Sequence, residues 1–171
     1  FDEPGDLERQ DTYRLHALLE LVRLDPQSPE TRQQATTACE QYGERINEWL
    51  RGVDGPRIDY PLAAWTKARR VLGQPNIPFD AVVERWIPSI RDSEALLKDG
   101  MIHGAVCATG GLLCVAPEPM TAPRILVSTL RAVAEKRHDV IGFIAAMYLL
   151  DHRLRCGDAN IVPLEVPEAM R

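Results

Sequence analysis

Few side chains in this sequence stand at spacings that do chemistry. Glu135 and His138 have the E-x-x-H spacing of carboxylate-bridged di-metal bundles, in which both groups face one core. Such a site needs a second pair and two further carboxylates. Here the single pair brackets Lys136 and Arg137, which reads as a solvated helix face. Asp151-His152 and Cys156 bring an imidazole and a thiol together at i, i+4, with an acid next to the imidazole in sequence. A nucleophilic cysteine also needs an orienting group and an oxyanion hole, and these three residues supply only a fragment. His103 reads as a hydrogen-bonded core or boundary residue. Gly104, Gly110 and Gly111 follow no strand and precede no Gly-Lys-Ser/Thr, so phosphate-loop and dinucleotide patterns fail. A glycine inside a helix costs about 1 kcal/mol against alanine, so close helix packing is the economical reason for three. The expectation is no catalytic cluster, no metal and no cofactor.

The cysteines at 39, 107, 114 and 156 lack C-x-x-C spacing. Cys107 and Cys114 fall two helical turns apart, about 10 Å, too far for a disulfide. All four read as reduced core or boundary residues of an intracellular, cytoplasmic protein.

The element that must organise the chain is Gly100 to Pro117. It has no Asp, Glu, Lys or Arg in a sequence that is 26% charged. A helix apolar on every side belongs inside a bundle or a membrane. This run carries His103, Thr109 and four glycines and is short for a span, so a buried core helix over about 101–116 is expected. Net charge is −5, which disfavours a general nucleic-acid-binding surface.

Around this rod the sequence draws amphipathic helices. Leu15, Leu18, Leu19 and Val22 form one stripe, ended at Asp25-Pro26. Ser28-Pro29 opens a second helix with Ser as N-cap, and Gly52 stands at its C-terminal cap. Pro61 opens a third helix and Gly73 stops it; a fourth starts at Phe79 and should end or kink at Pro88. A short helix reaches Lys98, and a sixth follows Thr121 to Pro123. Val140 to Leu150 is almost wholly apolar and should be the second most buried segment. Residues 161–171 read as an extended tail. No run alternates with period two, so strand content should be near zero. The fold expected is all-α, one domain of about seven helices around the central rod.

Three local motifs add a resemblance. Asp99-Gly100 followed by Gly110-Gly111-Leu112-Leu113-Cys114-Val115 looks like the first homology region of the Bcl (B-cell lymphoma) apoptosis regulators, viral homologues included. Cys39-Glu-Gln-Tyr-Gly43-Glu44 is similar to the core of that family's third region, and Phe79-Asp-Ala-Val82-Val83-Glu84 to the helix before the first. The family's Asn-Trp-Gly-Arg is absent, and His103-Gly104-Ala105 stands near its place. A partner would then be held apolarly, or through Arg85 or Arg91. The resemblance implies an interaction module in the control of cell death, of host or viral origin.

On this reading a groove between the second to fourth helices and the rod takes an amphipathic partner helix. Its expected lining is Tyr42, Ile46, Val82, Val83, Trp86 and Ile102, with Arg85 facing an acidic partner residue. Dimerisation is an equal use of such a surface. The competing expectation is a small helical assembly subunit of viral matrix or capsid type, with no ligand groove. Neither reading needs nucleic acid or a membrane span.

Overall fold

A computed structural model describes residues 4–52, 58–74, 76–98 and 102–157. Among them are eight α-helices and no strand: α1 (Pro4–Leu24), α2 (Pro29–Leu50), α3 (Asp59–Val71), α4 (Phe79–Ile90), α5 (Ser93–Lys98), α6 (Ile102–Val115), α7 (Arg124–Lys136) and α8 (Val140–Arg155). The protein is an all-α bundle, as the periodicity requires. Asp99-Gly100 of the motif above and the expected tail 161–171 lie outside the described residues.

Helix ends follow side-chain chemistry. Ser28 Oγ accepts from the Thr31 amide at 3.3 Å, and Pro29 fills the first helical position, where its missing N–H costs nothing. Asp92 Oδ1 caps α5 by accepting from the Glu94 and Ala95 amides, each at 3.0 Å. Asp139 does the same for α8. The chain therefore breaks at His138-Asp139. Gly52 and Gly73 take positive φ just past α2 and α3, a conformation costly for any residue with a Cβ. Two boundaries differ from expectation. α3 begins at Asp59, ahead of Pro61, and α4 runs on past Pro88 to Ile90. Pro88 sits in the last turn, where only one intrahelical donor is lost.

α6 is the centre. Apart from His103, Cys107 and Cys114, every residue of it is buried. α3 packs along one face and α8 along another, with α7, α5 and α4 completing the shell. α1 and α2 pack on each other and on α3. The glycines of α6 explain how close those approaches are. A Cβ on Gly111 would collide with the Thr66 side chain of α3, and one on Gly110 with the ring of Tyr148 of α8. Gly104 faces Asp59 and Tyr60 in the same manner. Close helix packing is therefore what these three glycines do.

Candidate functional site

Of the seven residues expected to line a groove, six are inside. Tyr42, Ile46, Val82, Val83, Trp86 and Ile102 all belong to the buried core. Tyr42 donates its hydroxyl hydrogen to Thr12 Oγ1 at 2.7 Å, and Trp86 Nε1 donates to Thr109 Oγ1 at 3.1 Å, both bonds buried. Arg85 alone is exposed, with its guanidinium carbon 5.6 Å from the centre of the Trp49 ring. The apolar positions are thus together in space, and in this conformation they fill the interior rather than line an opening.

The sequence constellations are equally quiet chemically. Glu135 and His138 are exposed, and His138 lies beyond the end of α7. His103 is exposed too, edge-on to Tyr60 with ring centres 6.1 Å apart, and not in the core. Cys156 Sγ and His152 Nε2 approach to 3.7 Å. Asp151, which would have to orient that imidazole, is committed elsewhere. It takes two bonds from Arg70, at 2.7 and 3.2 Å, and one from the Cys114 thiol at 3.3 Å. Burial and the neighbouring carboxylate push Cys114 up to about 12, so it stays a neutral thiol and a hydrogen-bond donor. Burial also raises Cys39 and Cys107. A thiol held protonated is a poor nucleophile. All four cysteines are free. Among the described residues no group of three or more His, Cys, Asp or Glu is placed to hold a metal ion.

What the structure exposes instead is α8. Its apolar run was expected to be deeply buried, yet only Gly142 and Ala145 are. The reason is geometric: α8 packs mainly on α6 and α7, with Arg70 of α3 reaching its Asp151, and Val140, Met147 and Leu154 are left exposed. Ile141, Ile144, Tyr148 and Leu149 pack inward. Val140, Phe143, Met147, Leu150 and Leu154 stand outside the packed cluster. Val140 is 49% exposed, Met147 47% and Leu154 56%, with Phe143 and Leu150 half-buried between them. Their separations are three, four, three and four residues. That is the a/d spacing of a helix that pairs with another helix.

This stripe was within reach of sequence reasoning. The 3-4-3-4 pattern is printed in residues 140–154, but α8 is apolar all round, and an all-round apolar helix does not announce which side faces out. Only the placement of α6 and α7 decides it.

Arg153 and Arg155 stand near the end of α8 beside Asp151, burial lowers His152 from its ordinary value, and Asp139 is the N-cap at the other end. No described helix is long and apolar enough to cross a membrane. The fold and this surface define the class: an all-α bundle with an outward apolar helix. Comparison with family models, with curated proteins and with solved structures finds no match for this chain.

Proposed function

We propose that this chain is a helical protein–protein interaction module whose working surface is the outward face of α8. The observation that carries the reading is the stripe Val140, Phe143, Met147, Leu150 and Leu154, apolar, outward and in heptad register. Contiguous apolar surface rimmed by polar residues is what a soluble protein keeps for a partner. An amphipathic helix with the same spacing would enter it knobs into holes. The resemblance to Bcl-type regulators supports the same general role through a different surface, since a groove beside Arg85 would require α4 to move off α6.

The test is fluorescence anisotropy with a labelled designed peptide carrying Leu at heptad a and d positions and alternating Glu and Lys elsewhere. Binding with Kd in the micromolar range is expected, weakened about tenfold or more by Met147→Lys, which amounts to about 1.4 kcal/mol. Met147 is exposed, so circular dichroism should stay unchanged. Binding that ignores Met147→Lys but falls with Arg85→Glu would move the surface to the groove. No binding up to about 200 μM would remove the reading, because that is weaker than any useful module.

A further inference from the structure

α1 is held on the bundle by two kinds of contact. Leu15, Leu18, Leu19 and Val22 are buried in the core, and polar side chains tie the same helix to its neighbours. Asp11 and Thr12 meet Arg45 and Tyr42 of α2. One turn further along, His16 and Glu20 meet Lys67 of α3. The second set differs from the first, because histidine is the side chain that ordinarily changes charge between pH 5 and 8.

Lys67 Nζ stands 3.4 Å from His16 Nδ1 and 3.4 Å from Glu20 Oε1, and Arg23 Nη1 donates to Glu20 Oε2 at 3.0 Å. An ammonium has three hydrogens to give and no lone pair to receive one. Between Lys67 and His16 the imidazole must therefore be the acceptor. Nδ1 is then bare, the ring hydrogen is on Nε2, and His16 is neutral. A further proton can enter this ring only at Nδ1, where it meets the ammonium that now donates there. We infer that the His16–Lys67–Glu20 contact is a proton-sensitive clasp between α1 and α3, closed while His16 is neutral and loosened when it is protonated.

The surrounding charges set the direction of the change. With His16 neutral, Lys67 divides its hydrogens between one neutral acceptor and one carboxylate. With His16 protonated, the imidazolium, Lys67 and Arg23 are three cations around the single Glu20 carboxylate. Burial keeps Cys107 of α6, which also senses Lys67, a neutral thiol, so it offers no counter-charge. Burial and then Lys67 hold the imidazole below its ordinary 6.5, while Glu20 pulls the other way. An α1 that has lifted off takes up the proton at 6.5, and the closed one only below that. Closure is therefore at full strength above 6.5 and is lost as pH falls from there toward the folded value. The buried leucines stay in place, so α1 opens more often rather than leaving the bundle.

Imidazole nitrogen–proton correlation spectra read the bond directly, with His16→Gln identifying the signal among the four histidines. The expected result is a bare Nδ1 and a hydrogen on Nε2 at pH 7.5, with titration below 6.5. Lys67→Met should move that titration up toward 6.5, and Glu20→Gln should move it further down. A merely space-filling imidazole would show neither shift. Hydrogen exchange reads the consequence. Protection factors of amides 16–24 should fall about threefold to tenfold between pH 7.5 and 5.5, tenfold being the ceiling for one group that titrates at 6.5 once released. His16→Gln keeps an oxygen that can accept from Lys67 but does not titrate, so in that chain the fall should vanish. A hydrogen on Nδ1 at pH 7.5 overturns the proposal. So does His16 titrating at or above 6.5, or a fall in protection undiminished in His16→Gln. The outward face of α8 takes no part in the clasp, so the heptad-peptide result neither supports nor removes it.

Discussion

The ring of Tyr148 lies against the backbone of Gly110, so that a Cβ placed on the glycine would fall 2.2 Å from its Cγ and Cδ2 atoms, inside the ring's own van der Waals envelope. The contact is what lets α8 approach α6 so closely. Tyr148 is a half-buried aromatic ring and not the far end of a flexible chain, so it has little room to give.

Gly110→Ala should therefore destabilise the protein although alanine is the better helix former. The propensity gain is about 1 kcal/mol and overpacking costs typically 1–3 kcal/mol, so with a 2.2 Å approach placing this site at the upper end a net loss of about 1–2 kcal/mol is expected. At this chain length that lowers Tm by about 2–8 °C. Gly43→Ala is the control. It is also mid-helix, its added Cβ would meet Trp65 Nε1 at an ordinary 3.5 Å, and it should be neutral or stabilising by up to about 1 kcal/mol. Thermal denaturation of both, and of Gly110→Ala with Tyr148→Leu, measures the effect. If Gly110→Ala is as stable as Gly43→Ala, the account of the α6–α8 approach is wrong.

Trp86 is a second case in which position decides the meaning of a side chain. Its Nε1 donates to Thr109 Oγ1 across the α4–α6 contact, and the residue is 2% exposed. Thr109→Val keeps the shape and removes the acceptor, leaving a buried donor unpaired at a cost of about 1–3 kcal/mol. Trp86→Ala should cost about 3–5 kcal/mol by emptying the core. Lost partner binding in Trp86→Ala would therefore report an unfolded protein and not a groove. Urea denaturation of the two variants and their double mutant gives the coupling, and a Thr109→Val chain within about 0.3 kcal/mol of wild type would contradict the bond's role.

Much of the bundle can be read from residues alone. The Ser28-Pro29 start, the stop at Gly73 and the buried rod 102–115 follow from capping chemistry, positive φ and an absence of charge. The glycines of α6 were legible as packing residues because a helix tolerates three of them only where something must come close. Two things were not legible. A stripe such as Val82, Val83 and Trp86 says that one side of α4 is apolar, and the same pattern serves a closed core or an open groove. α8 posed the reverse problem, since a helix apolar on all sides carries no sign of which side its neighbours leave uncovered. Both depend on where other helices lie, which local periodicity does not encode.

The Asp151 cluster predicts how stability changes with pH. Burial works against ionisation of Asp151, but the bonds from Arg70 and the Cys114 thiol outweigh it and hold the carboxyl below its ordinary value. A depressed carboxyl stabilises the fold above its unfolded value near 3.8, and this is lost as pH falls through the folded value. Cys114 behaves in the opposite sense. The native thiol keeps its proton until about 12, while the unfolded one releases it near 9.0, so stability falls as pH rises from 9 toward 12. Cys39, Cys107 and Tyr148, also raised, add to that alkaline limb. Urea midpoints from pH 3 to 11 should show a plateau near neutrality with two falling limbs. Asp151→Asn should flatten the acid limb and Cys114→Ser should shallow the alkaline one. An alkaline limb identical in Cys114→Ser would show that this thiol is not held protonated.

Arg155 carries the last prediction, because it ties the end of α8 to the end of α6. Its Nη1 donates to the Leu113 carbonyl and its Nη2 to the Ala116 carbonyl, each at 2.8 Å. The last carbonyls of a helix have no partner within it, and α6 has no basic residue in its own last turn. α8 supplies the cation that α6 lacks. Arg155→Met retains the apolar stem and removes both bonds, which should cost about 1–3 kcal/mol. Arg155→Lys should recover only part, since a single ammonium does not span two carbonyls as a planar guanidinium does. Hydrogen exchange should accelerate in the last turn of α6 well before it does in α2, and uniform acceleration across the bundle would argue against a local clamp. Arg155, Asp151 and Tyr148 all attach the same side of α8, to the end of α6, to Arg70 of α3 and to Gly110. Those attachments fix the rotation of the helix about its axis and so force Met147 outward. Loosening the clamp should therefore weaken heptad-peptide binding in Arg155→Met without any change to the stripe itself, and peptide affinity indifferent to Arg155 would mean that the rotation of α8 is set elsewhere.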